Sequence, residues 1–444
     1  MGTINIDFDA AYNELFGDSS NNSGSVDEMP TQYSDKKIDV ESANNEKFGD
    51  SSNEEENLGE EAKKQDNKSV VVGLDIGATK VVCVIGYKNA NGKIVVIGSS
   101  QIALNEEEQE VGYSVEAVKS AIKQASQEAG VEITHVSVGF SNKRIKSIRH
   151  RGVLMRDHHD TEISEAELER LRNDTFKINM TPGEEIIYVI RQDTYVDGEL
   201  ATNPVGMLGN KIEANFHVII GQTSAAKNIM KPLQSAGVKI DFIIPDPIAS
   251  ANSVLDKNEM EVGVVLVNIG GNTTDIVVYK DKKVKHVAAV PLGGCIITKD
   301  ICASCKIIKR YAEEVKVNFG SALASENSED EVVSIPGVGK LGPREISFKN
   351  LSHIIQSREE EIIDLIYSEI TKTGLEEQLY AGIVLTGGGA MMKHLKQLVE
   401  FKTGMDVRIG YPDEHIVLNG DDGICNPSMA TCVGVIVDTI ERGE

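Results

Sequence analysis

The chain has 444 residues, 40% of them apolar but only 5% aromatic, and carries a formal net charge of −24. That length implies two to three domains, and a charge of that sign argues against nucleic acid as a partner, because phosphate binding needs concentrated Lys and Arg. Six cysteines are scattered with Cys302 and Cys305 the only close pair, no signal peptide opens the chain and no apolar run approaches a membrane span, so a soluble, cytoplasmic protein with reduced thiols is expected.

Residues 1–68 hold 17 Asp and Glu against six Lys, nearly half of the net charge in under a sixth of the length. With few apolar residues they cannot bury enough surface to offset ordering, so a disordered acidic extension is expected. Within it NELFGDSSN (13–21) recurs as NEKFGDSSN (45–53), either a duplication drifting in a tail or a short motif presented twice with Phe16 and Phe48 as anchors. Phe8, Tyr12, Leu15 and Phe16 share one helical face, and Asp7, Asp9 and Glu14 carry the wrong sign for an anionic membrane, so a protein is the better-matched partner.

From Ser69 the pattern becomes strand, turn, strand over 70–76, 80–87 and 93–100. A helix over 114–130, with a polar N-cap and a closing Gly, leads to a strand at 134–140. Residues 150–222 form a separate strand-helix-strand-strand unit: a strand near 151–155, a helix opening at Ser164, then strands at 185–196 and 211–221. His158, His159 and Asp160 fall on its polar loop, where solvation is expected rather than metal binding. A helix (224–236), a strand (239–244) and a helix opening at Pro247 precede a second hairpin over 262–279. Residues 298–320 and 348–373 predict long amphipathic helices, and the strand GIVLTGGG (382–389) runs into a helix starting near Ala390. Alternating strands and helices make the chain α/β.

Two stretches share one design. VVVGLDIGATKVVCVIG (70–86) and VLVNIGGNTTDIVVY (265–279) each pass from an apolar strand through Ile-Gly and a Gly/Thr turn into a second strand. Such a turn presents backbone N–H groups and hydroxyls that can cradle phosphate oxygens. Asp75 ends the first strand, where it could hold the water shell of Mg²⁺, and Lys80 adds positive charge beyond the turn. The second copy has Asn268 in place of an acid. A third piece, Leu385-Thr386-Gly387-Gly388-Gly389-Ala390, lets a ring or phosphate approach where a strand leaves the sheet. Each piece alone is a generic turn; hairpin, hairpin and strand-GGG in this order form the layout of actin-like ATPases.

From about Ser69 onward the chain resembles FtsA, the bacterial actin homologue of cell division. VGLDIGATKV, NIGGNTTDIVVY and VLTGGGAMM look like its two phosphate motifs and its adenosine motif. PDPIASANSVLDKNEMEVGV, PLGGCIITKDI, AEEVKVNFG and ISFKNLSHIIQSREEEIIDLI are similar to its connecting segments, and 150–222 looks like its insert. The resemblance implies an actin-like ATPase fold: two lobes around a nucleotide cleft, with residues 69–149 and 223–260 in the first lobe, 261–299 and 376–444 in the second, and 300–375 as the second lobe's outer subdomain. It implies ATP and Mg²⁺ as cofactors. Gly77, Ala78, Thr79 and Lys80 would line one side of the phosphates, and Gly270, Gly271, Asn272 and Thr273 the other. Glu313 and Lys316 would flank ribose and adenine above Gly387, Gly388 and Gly389, and Asp75 would serve the metal. Asp246 would orient the attacking water, a role compatible with its alternative as an N-cap. Asn268 replaces the family's usual Asp and Asn272 a Gly, so binding is expected to survive while hydrolysis is slow.

The resemblance also implies self-assembly into filaments, binding of the FtsZ C-terminal peptide through the second lobe, other divisome partners, and peripheral attachment to the cytoplasmic membrane at the septum. No basic amphipathic segment follows TCVGVIVDTIERGE, so attachment is expected to rest on a trimmed tail or on a partner. Two other readings stand beside this one, a PilM-like scaffold of a membrane assembly and a small-molecule kinase of the same superfamily.

Overall fold

The computed structural model describes residues 2–5, 70–111, 114–157, 160–336, 342–413, 415–417 and 423–443. Expectations for the repeated FGDSSN element, the Phe8–Phe16 face and the pair His158–His159 lie outside the described residues. The expected disordered extension begins differently, for Gly2–Asn5 form a strand, β1, which joins a sheet formed late in the chain.

The first lobe runs β2 (Val71–Ile76), β3 (Lys80–Lys88), β4 (Ile94–Ala103), α1 (Glu106–Val111), α2 (Val115–Ala129) and β5 (His135–Phe140). Ser114 caps α2 by accepting the Ala117 N–H at 3.0 Å, and Gly130 ends it at φ +66°. Its buried stripe of Ala117, Val118, Ala121, Ile122 and Ala125 packs onto Leu74, Val81 and Val138 of the sheet. An insert follows as β6 (Lys146–Met155), α3 (Glu165–Thr175), β7 (Glu184–Val196), β8 (Glu199–Leu200) and β9 (Lys211–Gln222). The chain then returns through α4 (Thr223–Ala236), β10 (Lys239–Pro245), α5 (Asp246–Val254) and α6 (Lys257–Val262).

The second lobe repeats the plan with β11 (Val264–Ile269), β12 (Thr274–Lys280) and β13 (Lys283–Val290), then α7 (Gly294–Cys305) and α8 (Lys309–Phe319). Next come β14 (Glu331–Ile335), β15 (Arg344–Ser347), α9 (Phe348–Thr371), β16 (Ile383–Thr386), α10 (Leu395–Thr403), β17 (Val407–Ile409) and α11 (Ala430–Gly443). The first sheet has the order β10-β5-β2-β3-β4, and the second contains β17-β16-β11-β12-β13. In both, an antiparallel meander continues into parallel partners of its first strand. The fold therefore contains one topology twice, which is why the same hairpin is written twice. The equivalent helices α5 and α11 cross between the sheets so closely that a Cβ on Gly434 would lie 1.7 Å from the Ala249 carbonyl oxygen.

Beyond β13 the second sheet continues into the insert, β6-β9-β7-β8, through the pair Ala288↔Lys146. Ser147 strengthens that junction, its hydroxyl accepting from Val287 N–H at 3.1 Å and facing the Val287 carbonyl at 3.3 Å.

Two expected helices are corrected. In place of one helix over 298–320 there are two, α7 and α8, broken where Lys306 takes a left-handed φ of +54°. The reversal lets Ile297 and Ile301 of one and Ala312 and Val315 of the other face a single core, which a straight helix could not do. After the Gly387–Gly389 turn the chain makes a 3₁₀ turn (Gly388–Met391), and the α-helix starts only at Leu395.

Candidate functional site

The two hairpin tips have matching geometry. Asp75 pairs across the ladder with Val82, and Asn268 with Asp275. The Gly77 N–H donates to the Lys80 carbonyl at 3.0 Å, and the Gly270 N–H donates to that of Thr273 at 2.9 Å. The tips touch: a Cβ on Gly271 would lie 2.8 Å from Thr79 Cγ2 and 3.5 Å from Ala78 Cβ. Glycine is required here for close approach of the two lobes. The first amides of α7 buttress the second tip, Gly294 N–H donating to Gly270 C=O at 2.9 Å and Cys295 N–H to Gly271 C=O at 2.8 Å.

Three carboxylates converge behind the tips. Asp75 ends β2, Asp246 opens α5 directly after β10, and Asp275 lies on β12 opposite Asn268. Burial pushes the Asp75 carboxyl up to about 6, with Lys80 pulling it down. Burial also lifts Asp275 to about 7, opposed by the hydroxyl of Ser141, which donates to its carboxylate at 2.9 Å, while Asp75 adds to the rise. Asp246 is held well above the ordinary carboxylate range by burial and then by its two acidic neighbours. Its Oδ1 is buried and has no hydrogen-bond partner among the described residues. Gly139, at the end of β5, makes room for it, since a Cβ there would sit 2.5 Å from that oxygen. Asp246 is not a cap: Pro245 holds the N-cap position and no side-chain bond closes the helix start.

Lys80 is directed sideways, donating to Gln101 Oε1 at 2.7 Å and Ser428 Oγ at 2.9 Å, and burial lowers its pKa against the pull of Asp75. The Asn268 amide donates to Ser250 Oγ and Thr431 Oγ1, both at 3.1 Å. It thereby ties β11 to α5 and α11, the crossing helices. Asn272 and Thr273 sit on the second tip, and Ser141 Oγ lies 3.3 Å from Thr273 Oγ1.

On the far side of the cleft, Lys316 Nζ donates to Glu313 Oε2 at 2.7 Å, Thr298 Oγ1 at 2.9 Å and Gly294 C=O at 3.2 Å. Buried Glu359 of α9 faces this lysine, its carboxyl raised to about 7 by burial with Lys316 opposing. Gly387 (φ +84°) and Gly389 press against β11, where a Cβ on either would fall 2.3 Å from Asn268 Oδ1 or Ile269 Cγ2. Gly388 differs, since a Cβ there would meet nothing nearer than 3.9 Å. It is the one glycine of the three whose surroundings leave space.

The structure thus brings Asp75, Gly77–Lys80, Asp246, Asn268 and Gly270–Thr273 to one cleft, with Glu313, Lys316 and Gly387–Gly389 on the second lobe around it. Asp275, Ser141 and Glu359 belong there too, although the sequence reading passes over them. Asp275 has a legible signal, being seven residues after Asn268 and so its cross-strand partner in a tight hairpin.

Profiles of two families match the chain: Cell division protein FtsA over residues 265–434, and the SHS2 domain inserted in FTSA over 142–220. Cell division protein FtsA of Pseudomonas aeruginosa is 33% identical over 383 residues, covering 84% of this chain and 90% of that protein. The chain belongs to the FtsA family. The FtsA of Neisseria meningitidis serogroup B is 33% identical over 374 residues, covering 82% and 88% of the two chains, and that of Escherichia coli K12 is 31% identical over 385 residues, covering 84% and 91%. Among solved structures, the PilM-PilN type IV pilus biogenesis complex superposes with a TM-score of 0.58 at 15% identity, covering 84% of this chain and 99% of that one. At that identity it is a likeness of fold alone. This FtsA-family chain has the actin-like ATPase fold, its two repeated sheets forming the lobes and β6–β9 the SHS2 insert.

Proposed function

We propose that the cleft holds ATP with Mg²⁺ and that this chain is a polymerising adaptor of cell division. In this reading it joins FtsZ, through its C-terminal peptide, to the inner face of the membrane at the septum. The observation that carries the nucleotide reading is the unpartnered, buried Oδ1 of Asp246 beside Asp75 and Asp275. An acceptor in that position costs free energy until a water or cation meets it. Three mutually repelling carboxyls, two at the C-terminal ends of β2 and β10 and the third at the start of β12, suit a site that receives positive charge.

The residues fit the group. The Gly77–Lys80 and Gly270–Thr273 tips would hold the phosphates from two sides, the space at Gly388 would receive the base, and Glu313 and Lys316 would meet the ribose and adenine. Among the described residues no three His, Cys, Asp or Glu side chains are grouped to hold a metal directly, so Asp75 would act on Mg²⁺ through its water shell. Bound Mg-ATP supplies the transferable phosphoryl group and the charge that unites the two tips. Asp246 offers Oδ1 to a water, and Ser141 fixes Asp275. Asn268 contributes an amide in place of a charge, so hydrolysis is slow relative to binding.

Family membership supports the division role, and peripheral membrane contact suits a chain in which no described helix is long and apolar enough to cross a bilayer. The test is sedimentation with electron microscopy of the full chain, with and without Mg-ATP and on anionic vesicles. Nucleotide-dependent filaments that recruit an FtsZ C-terminal peptide are expected. A chain that stays monomeric with nucleotide bound, on vesicles as in solution, would refute the adaptor reading.

A further inference from the structure

The outer subdomain of the second lobe contains a three-stranded sheet of order β1-β14-β15. β14 and β15 form an antiparallel pair, and their buried residues Val333, Ile335 and Ile346 share a core with Ile297, Ile301 and Val315 of α7 and α8. β14 is therefore fixed on one face and along one edge. Along its other edge runs the N-terminus, parallel and in register, from Gly2↔Glu331 to Asn5↔Ser334. Sixty-five residues, 6–70, separate this strand from β2.

The start of the chain, GTINIDFD, is written as a strand: Ile4, Ile6 and Phe8 alternate with Asn5, Asp7 and Asp9. That period of two stands apart from the polar sequence that follows it. A bare edge presents a row of unpaired N–H and C=O groups to any extended chain, and a two-stranded ribbon is marginal where three strands are stable. Main-chain bonds of this kind give affinity to peptide partners that add as strands.

We infer that the outer edge of β14 is a docking edge for extended peptides, and that residues 2–5 of the same chain close it. The N-terminus is an intramolecular cap, and a strand-forming peptide partner gains the edge only by displacing it. Sixty-five connecting residues reach at most about 215–235 Å when fully extended, so chain length alone permits the cap to serve its own β14 or that of a second copy. A strand that returns to its own subdomain binds independently of protein concentration, and this separates the two cases.

Hydrogen–deuterium exchange on the full-length chain tests the inference. Residues 331–335 are expected to exchange slowly in the parent chain and about tenfold faster in the Thr3→Pro/Ile4→Pro variant, since proline removes ladder donors. Exchange at 383–386 is expected to stay unchanged, showing that the variant keeps its fold. A synthetic peptide of residues 1–12 should restore protection to the variant while failing to bind the parent chain at the same concentration. Equal exchange at 331–335 in the two chains would overturn the cap. Protection that disappears on hundredfold dilution would overturn the intramolecular cap in favour of exchange between copies.

Discussion

Asn268 shows how one atom can alter a site without disturbing its frame. Its amide nitrogen donates to Ser250 and Thr431, whose hydroxyls lie 3.0 Å apart; in Asn268→Asp both hydroxyls can turn to donate to the carboxylate, giving up the bond between them while the side chain's size is kept. Phosphate release from Mg-ATP is expected to rise roughly tenfold in that variant, the effect of about 1.4 kcal/mol of added stabilisation; release equal to the parent chain would remove the slow-hydrolysis proposal. Asp275 sets a second expectation. Its carboxyl is raised to about 7 from an ordinary value of 3.8, so the free protein holds the proton more tightly than the unfolded chain does. The stability this contributes is complete below 3.8 and is lost as pH rises through about 7. Thermal melts of the nucleotide-free protein at about pH 5 and about pH 8 should show a smaller loss on alkalinisation in Asp275→Asn, by a few kcal/mol at most. An identical loss in both chains would show that Asp275 does not carry it. Asp75, Asn268 and Asp246 stand out in the sequence because each adjoins a Gly or Pro turn. Ser141 and Glu359 do not, since their importance comes from neighbours far along the chain, Asp275 and Lys316.

The hairpins β2–β3 and β11–β12 are legible because strand periodicity, a Gly/Thr turn and a repeated lead-in agree. The Ser164 capping box and the Ser114–Gly130 pair likewise mark helix ends from local chemistry. Lys306 gives no such mark: an ordinary helix former takes a left-handed conformation because the core beneath α7 and α8 rewards the reversal. The late start of α10 has a similar cause, as Gly387 and Gly389 are pressed onto Ile269 before the chain is free to coil. Contact between the hairpin tips yields an expectation at this scale. Gly271→Val places a branched side chain against Thr79 and Ala78, so the tips must separate. ATP affinity should fall at least about tenfold while far-ultraviolet circular dichroism is unchanged. Unaltered affinity would mean that the two tips do not grip one ligand.

At the scale of the molecule, the duplicated sheet order and the insert at β6–β9 are visible in sequence as a repeated motif and a break in rhythm, and the crossing of α5 over α11 is not. That crossing depends on Gly434 meeting Ala249, residues 185 positions apart in the chain. Nor does periodicity reveal that the insert extends the second lobe's sheet through Ala288 and Lys146, one strand over from the site, since Ala288 pairs with Ile276, the neighbour of Asp275. The central claim is that the two lobes close on Mg-ATP through paired hairpins and converging carboxylates. Titration calorimetry of the full chain with ATP tests it most directly, in Mg²⁺ and again in EDTA, with Asp75→Asn alongside. One ATP per chain, bound at least about tenfold more weakly when Mg²⁺ or the Asp75 charge is removed, is the result predicted. No saturable binding in Mg²⁺, or binding indifferent to both the metal and Asp75, would contradict it.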